Sequence, residues 1–97
     1  LFDEIEIELI RFIVEKCKTG NTATVPEINR ILGLADKNEA VQKKNRSEKI
    51  NRINEKWMRK GAHTELLIQR RRSDFDKRNF EYYIEPNSFA EIQFIEA

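Results

Sequence analysis

The sequence predicts an α+β domain in which a three-helix core is followed by a β-hairpin. Three observations predict it. Apolar residues recur at helical spacing as far as about residue 60, and the period then switches to the alternation of a strand. Gly20, Gly33 and Gly61, the only three glycines, each fall where a helical pattern stops. Ninety-seven residues with 39% hydrophobic content make one domain with a modest core.

The first helix spans about 3–18. Acids fill its first turns (Asp3, Glu4, Glu6, Glu8) and Lys16 and Lys18 lie near its end, as the helix dipole favours. Its apolar pattern is wide. Phe2, Ile5, Leu9, Phe12 and Ile13 form one stripe, and Ile7, Ile10, Val14 and Cys17 form a second beside it. Such a helix is either the central element of its own core or shares one stripe with a second subunit. A homodimer through this helix is therefore one expectation.

Asn21–Val25 leans towards strand, and Pro26 suits the first turn of a second helix, about 26–32, with Ile28, Ile31 and Leu32 inward. Residues 37–44 fit either an extra helical turn around Ala40 and Val41 or a polar loop. Ser47 reads as the N-cap of a third helix, about 47–60. Ile50, Ile53, Trp57 and Met58 line its inner side. Lys49, Arg52, Lys56 and Arg59 fall within an arc of about 80° on the other side.

Residues 64–85 read as a hairpin. Glu65–Gln69 is the first strand, and Phe80–Glu85 the second, with Phe80, Tyr82 and Ile84 alternating against Glu81, Tyr83 and Glu85. Residues 70–79 between them form a long basic tip, and Pro86 ends the second strand. The segment 86–97 is a short last helix opened by a Ser88–Glu91 capping box, or a strand.

Charge is segregated along this order. Residues 1–36 hold four Lys/Arg against seven Asp/Glu, residues 37–78 fourteen against six, and residues 79–97 none against four. The net charge of +1 hides a centre of +8 between acidic ends. Gathered on one face, such a centre is the footprint of a polyanion binder; scattered, it is an ordinary solvated surface.

Other classes find little support. One Cys (Cys17) and one His (His63) make neither a disulfide, a zinc set nor a nucleophile–base pair. No Gly-rich phosphate loop is present, so neither enzyme activity, a cofactor nor a small-molecule ligand is expected. There is no apolar run of about 18 residues and no basic signal peptide, so the expectation is a cytoplasmic, reducing compartment and no membrane partner. A chain starting at Leu1 rather than Met reads as a domain cut from a larger protein.

The order helix, short strand, helix, turn, helix, hairpin resembles the winged helix-turn-helix family over about Ile5 to Ile84. Residues 24–34 (TVPEINRILGL), then Ser47, Ile50, Ile53, Trp57 and Gly61, carry the resemblance. The dozen residues from Ala35 to Arg46 are longer than that family's usual link. The resemblance implies a recognition helix at 47–60, a wing at 64–85, and binding of double-stranded DNA, as in a transcriptional regulator or a replication or DNA-processing protein. Lys49, Asn51, Arg52, Lys56 and Arg59 would then face the major groove. Arg70, Arg71, Arg72, Lys77 and Arg78 would sit on the wing, and Lys43, Lys44 and Arg46 would add backbone contacts. Asn54, nearer the apolar side, reads as a structural amide. Two other expectations stand beside this one. The same scaffold serves as a protein-interaction module, with the first helix and Phe89, Phe94 and Ile95 as partner surfaces. Stacking of Phe75, Tyr82 and Tyr83 on single strands or RNA is the other.

Overall fold

The computed structural model describes residues 2–61, 65–75 and 79–96, with Gly61 and residues 93–96 described by backbone alone. Along these residues run α1 (Glu4–Lys18), β1 (Ala23–Thr24), α2 (Val25–Ile31), α3 (Glu39–Gly61), β2 (Gln69–Arg72), β3 (Phe80–Tyr83), a 3-10 turn (Pro86–Ser88) and α4 (Phe89–Glu96). The architecture is α+β, with the three strands in one antiparallel sheet of order β1-β3-β2.

Local chemistry sets each boundary. Asp3 and Glu6 form a reciprocal capping box at the start of α1. Thr24 and Glu27 form another at the start of α2, where Pro26 occupies the first turn. Gly20 and Gly33 adopt φ of +80° and +72° just after α1 and α2, a region that side chains with a Cβ disfavour.

The third helix departs from expectation. It begins at Glu39, so the stretch 39–46 is its first two turns rather than a loop, and Ser47 lies mid-helix. Asn38 is the cap: its Oδ1 accepts the Val41 N–H at 2.9 Å. Two bonds pin these early turns to the residues before them. Gln42 Nε2 donates to the Leu34 carbonyl at 2.9 Å, and Arg46 Nη1 donates to Asn29 Oδ1 at 2.9 Å.

The hairpin also shifts. Leu67 and Ile68 are buried, but the ladder starts only at Gln69. The Ile68 backbone is engaged elsewhere, because Asn54 Oδ1 accepts its N–H at 2.8 Å and Asn54 Nδ2 donates to its carbonyl at 3.2 Å. Arg70, Arg71 and Arg72 therefore lie in β2, paired with Tyr82, Glu81 and Phe80, and not in the tip. The segment after Pro86 is helical, and Ile92 enters the core from α4.

Leu9, Ile10, Ile13 and Val14 of α1 are all buried, against Ile28, Ile50, Ile53, Trp57, Tyr82 and Ile84. Both apolar stripes of α1 thus serve one core. Ile7, Phe12 and Cys17 pack on it part-buried, and only Ile5 of the two stripes is exposed, at 40%. The width of the pattern is accounted for within a single chain, so the homodimer expectation loses the observation that motivated it. Among the described residues no helix is long and apolar enough to cross a membrane.

Candidate nucleic-acid interface

The outward side of α3 follows from its inward side. Ile50, Ile53, Asn54 and Trp57 are buried, which turns Lys44, Asn51, Arg52 and Arg59 to solvent, and Lys43, the residue before Lys44, is exposed as well. Glu48 and Glu55 share this surface and temper its charge.

Lys49 and Lys56 do not share it. Lys49 Nζ lies 3.3 Å from Asp3 Oδ2, and Lys56 Nζ lies 2.6 Å from Glu6 Oε1, with the two lysine side chains 23% and 26% exposed. Placed at the edge of the basic arc, they lean onto the first turn of α1. The Glu6 backbone N–H is the main influence on Asp3, holding its carboxyl below the ordinary carboxylate range, and Lys49 adds to the effect. Arg46, expected at the DNA backbone, is likewise part-buried and joined to Asn29. These three cations hold helices together.

On the hairpin, alternation sends the arginines to two faces. Arg70 and Arg72 lie over the Phe80 ring, with guanidinium carbons 4.3 and 5.0 Å from its centroid. Arg71 faces the other way, its Nε 3.5 Å from Glu81 Oε1, while Glu81 Oε2 accepts the Thr22 hydroxyl at 2.8 Å. Arg71 remains 60% exposed. Lys77, Arg78 and His63 lie outside the described residues, as do the side chains of Phe94 and Ile95.

The two basic elements meet at one cleft of about 240 Å³, lined by Ser47, Asn51 and Asn54 from α3 and by Ile68, Arg70 and Tyr82 from the hairpin. Asn54 closes its floor through the Ile68 backbone. Asn51, Ser47 and Arg70 are exposed at its rim. Ser47, read from sequence as a cap, belongs instead to this cleft. Phe80, expected on one strand face with Tyr82 and Ile84, packs part-buried against the core and is also the platform for two guanidinium groups. That role was legible only with the register, since Phe80 stands opposite Arg72 and two pairs along from Arg70, on the same face.

Among the described residues no group of three or more His, Cys, Asp and Glu is gathered as ligands of a metal ion would be. No family model, no curated protein and no solved structure matches this chain.

Proposed function

We propose that this chain is a winged helix-turn-helix domain that binds double-stranded DNA. In this reading the outer side of α3 enters the major groove and the β2–β3 hairpin lies alongside as the wing. The order α1-β1-α2-α3-β2-β3 and the sheet order β1-β3-β2 support the fold.

One observation carries the function. Asn51 on α3 and Arg70 on β2 line the same cleft, so the outer helix surface and the hairpin open to one side. Lys43, Lys44, Arg52, Arg59 and Arg72 then supply phosphate contacts. Asn51, with a paired donor and acceptor, supplies base readout at adenine. A transcriptional regulator or a replication or DNA-processing protein is the setting this fits.

The test is fluorescence-anisotropy binding to a random duplex at about 50 and 200 mM salt, a range over which phosphate-mediated binding weakens steeply. The comparison is an Arg52→Ala/Arg59→Ala/Arg72→Ala variant. Steep salt dependence, with binding lost in the variant, is the expected result; no binding by the parent chain at low salt overturns the reading.

A protein-interaction module on the same scaffold is the second reading. What favours it is that Lys49, Lys56 and Arg71 are each engaged by a carboxylate. That leaves a smaller positive surface than the sequence implies.

A further inference from the structure

Phe75 is 99% exposed. The other exposed large apolar side chains among the described residues reach only 50% (Leu66), 40% (Ile5) and 36% (Val41). Phe belongs to the residue types most often buried, and a ring so fully in water serves no core. It stands just past the end of the β2–β3 ladder. The Ser73 N–H donates to the Asn79 carbonyl at 3.0 Å, extending the hairpin pairing by one bond, and the Phe75 N–H donates to Ser73 Oγ at 3.2 Å. Three exposed arginines, Arg70, Arg71 and Arg72, precede it in the strand. The hairpin thus carries three arginines along its first strand and, past the strand's end and between Asp74 and Asp76 in sequence, one fully exposed ring.

We propose that Phe75 is a wedge: its ring enters the base stack of a bound duplex from the minor groove and kinks one base step while the stem arginines hold phosphates. This rests on the duplex-binding reading and goes beyond it, because phosphate and base-edge contacts by themselves do not require an apolar ring at the tip. The physics favours such an occupant. Duplex DNA offers close-spaced phosphates for the cations and a stack of apolar faces a few ångströms deeper, and apolar side chains that unstack a step bend the duplex. A protein pocket matched to the ring alone would not use the exposed charge that Arg70, Arg71 and Arg72 keep beyond their contacts with Phe80 and Glu81. An anionic membrane surface would attract the same charge, but Arg70 also opens onto the α3 cleft, which a flat surface does not fill.

The experiment uses the full chain and a duplex of about 25 base pairs labelled at both ends, reading affinity by anisotropy and bending by energy transfer. Phe75→Ala, Phe75→Leu and Phe75→Ser are compared with the parent, after thermal melts establish that each is folded. The expected result is that the parent shortens the end-to-end distance. Phe75→Ala and Phe75→Ser bind roughly ten-fold more weakly and no longer bend the duplex, while Phe75→Leu restores part of both. The slope of log affinity against log salt stays unchanged, because the ring neutralises no phosphate. If Phe75→Ala binds and bends as the parent does, the wedge is overturned while duplex binding stands. If the parent does not bind duplex at about 50 mM salt, both fall. If Phe75→Ala loses binding only to phosphatidylserine vesicles, the ring belongs to a membrane contact and the proposal is wrong.

Discussion

Lys56 Nζ donates to Glu6 Oε1 across 2.6 Å, joining the middle of α3 to the first turn of α1 around a carboxylate that is fully buried. The same Oε1 accepts the Asp3 N–H at 2.8 Å, so the capping box and the ion pair share one atom. Glu6 Oε2 has no hydrogen-bond partner among the described residues.

The pair is asymmetric, and its variants should be too. Lys56→Met leaves a buried carboxylate without its cation, a change that costs about 3–5 kcal/mol at a fully buried pair and less here, because Lys56 keeps 26% of its side chain in water. We expect about 2–3 kcal/mol by that principle. Glu6→Gln keeps the capping-box acceptor and removes the buried charge, so it should cost under about 1 kcal/mol. Urea unfolding of both variants checks this. A Glu6→Gln loss as large as that of Lys56→Met would show that the charge itself, not its desolvation, dominates the site.

Asn54 predicts a second stability effect at the base of the cleft. Asn54→Leu matches its size but strips both bonds from the Ile68 N–H and carbonyl. Each buried group left unpaired costs about 1–3 kcal/mol, so the two together should cost about 2–6 kcal/mol, with a lower urea midpoint and an unchanged m-value. Amide exchange at Ile68 should accelerate more than at Leu9, which lies within α1 and makes neither of the lost bonds. Equal acceleration at both sites would mean that the bonds do not anchor the hairpin locally.

Acid should weaken the joint between α1 and α2. Burial pushes the Glu27 carboxyl up, but the Thr24 N–H and hydroxyl and the Lys16 ammonium at 2.9 Å together outweigh it, and the group is held below its ordinary value. Asp3 is held low as well. A carboxylate lowered in the folded state contributes stability that is complete above its unfolded pKa of about 4 and is lost as pH falls through the lower folded value. Melting temperature should therefore drop below about pH 4, and Glu27→Gln should make that drop shallower while lowering the plateau at neutral pH. An identical acid limb in Glu27→Gln and parent would remove Glu27 from the account.

These effects sit at positions that differ in how legible they were. The helix stops at Gly20 and Gly33 and the inward faces of α1 and α3 followed from local pattern alone. The capping boxes Asp3-x-x-Glu6 and Thr24-x-x-Glu27 were not expected, although each has the local pattern: the acids of the first read as dipole partners, and Pro26 drew the start of the second helix past Thr24. Ser47 misled because a serine ahead of an apolar run is a good cap in isolation. Asn38 is an equally good one, and it wins because Gln42 and Arg46 find partners at Leu34 and Asn29 that pattern cannot reveal. Lys49 and Lys56 were assigned to the outer arc because a helical wheel has no neighbours. Their carboxylates lie 46 and 50 residues away, and only the packing of α1 beside α3 brings them together.

That division makes the last prediction. If duplex binding uses the exposed cations, Arg52→Ala and Arg59→Ala should each weaken it uniformly across sequences and reduce the salt slope by about 1. Lys49→Met and Lys56→Met remove the same number of charges from the same helix, but from groups already neutralised by Asp3 and Glu6. They should lower stability while leaving the salt slope of the folded protein close to that of the parent. The measurement is anisotropy titration from about 50 to 200 mM salt, run well below each variant's melting temperature. Equal slopes for all four variants would mean that binding loosens α1 from α3 and frees the two lysines. In that case the ion pairs would be part of the binding equilibrium rather than of the scaffold beneath it.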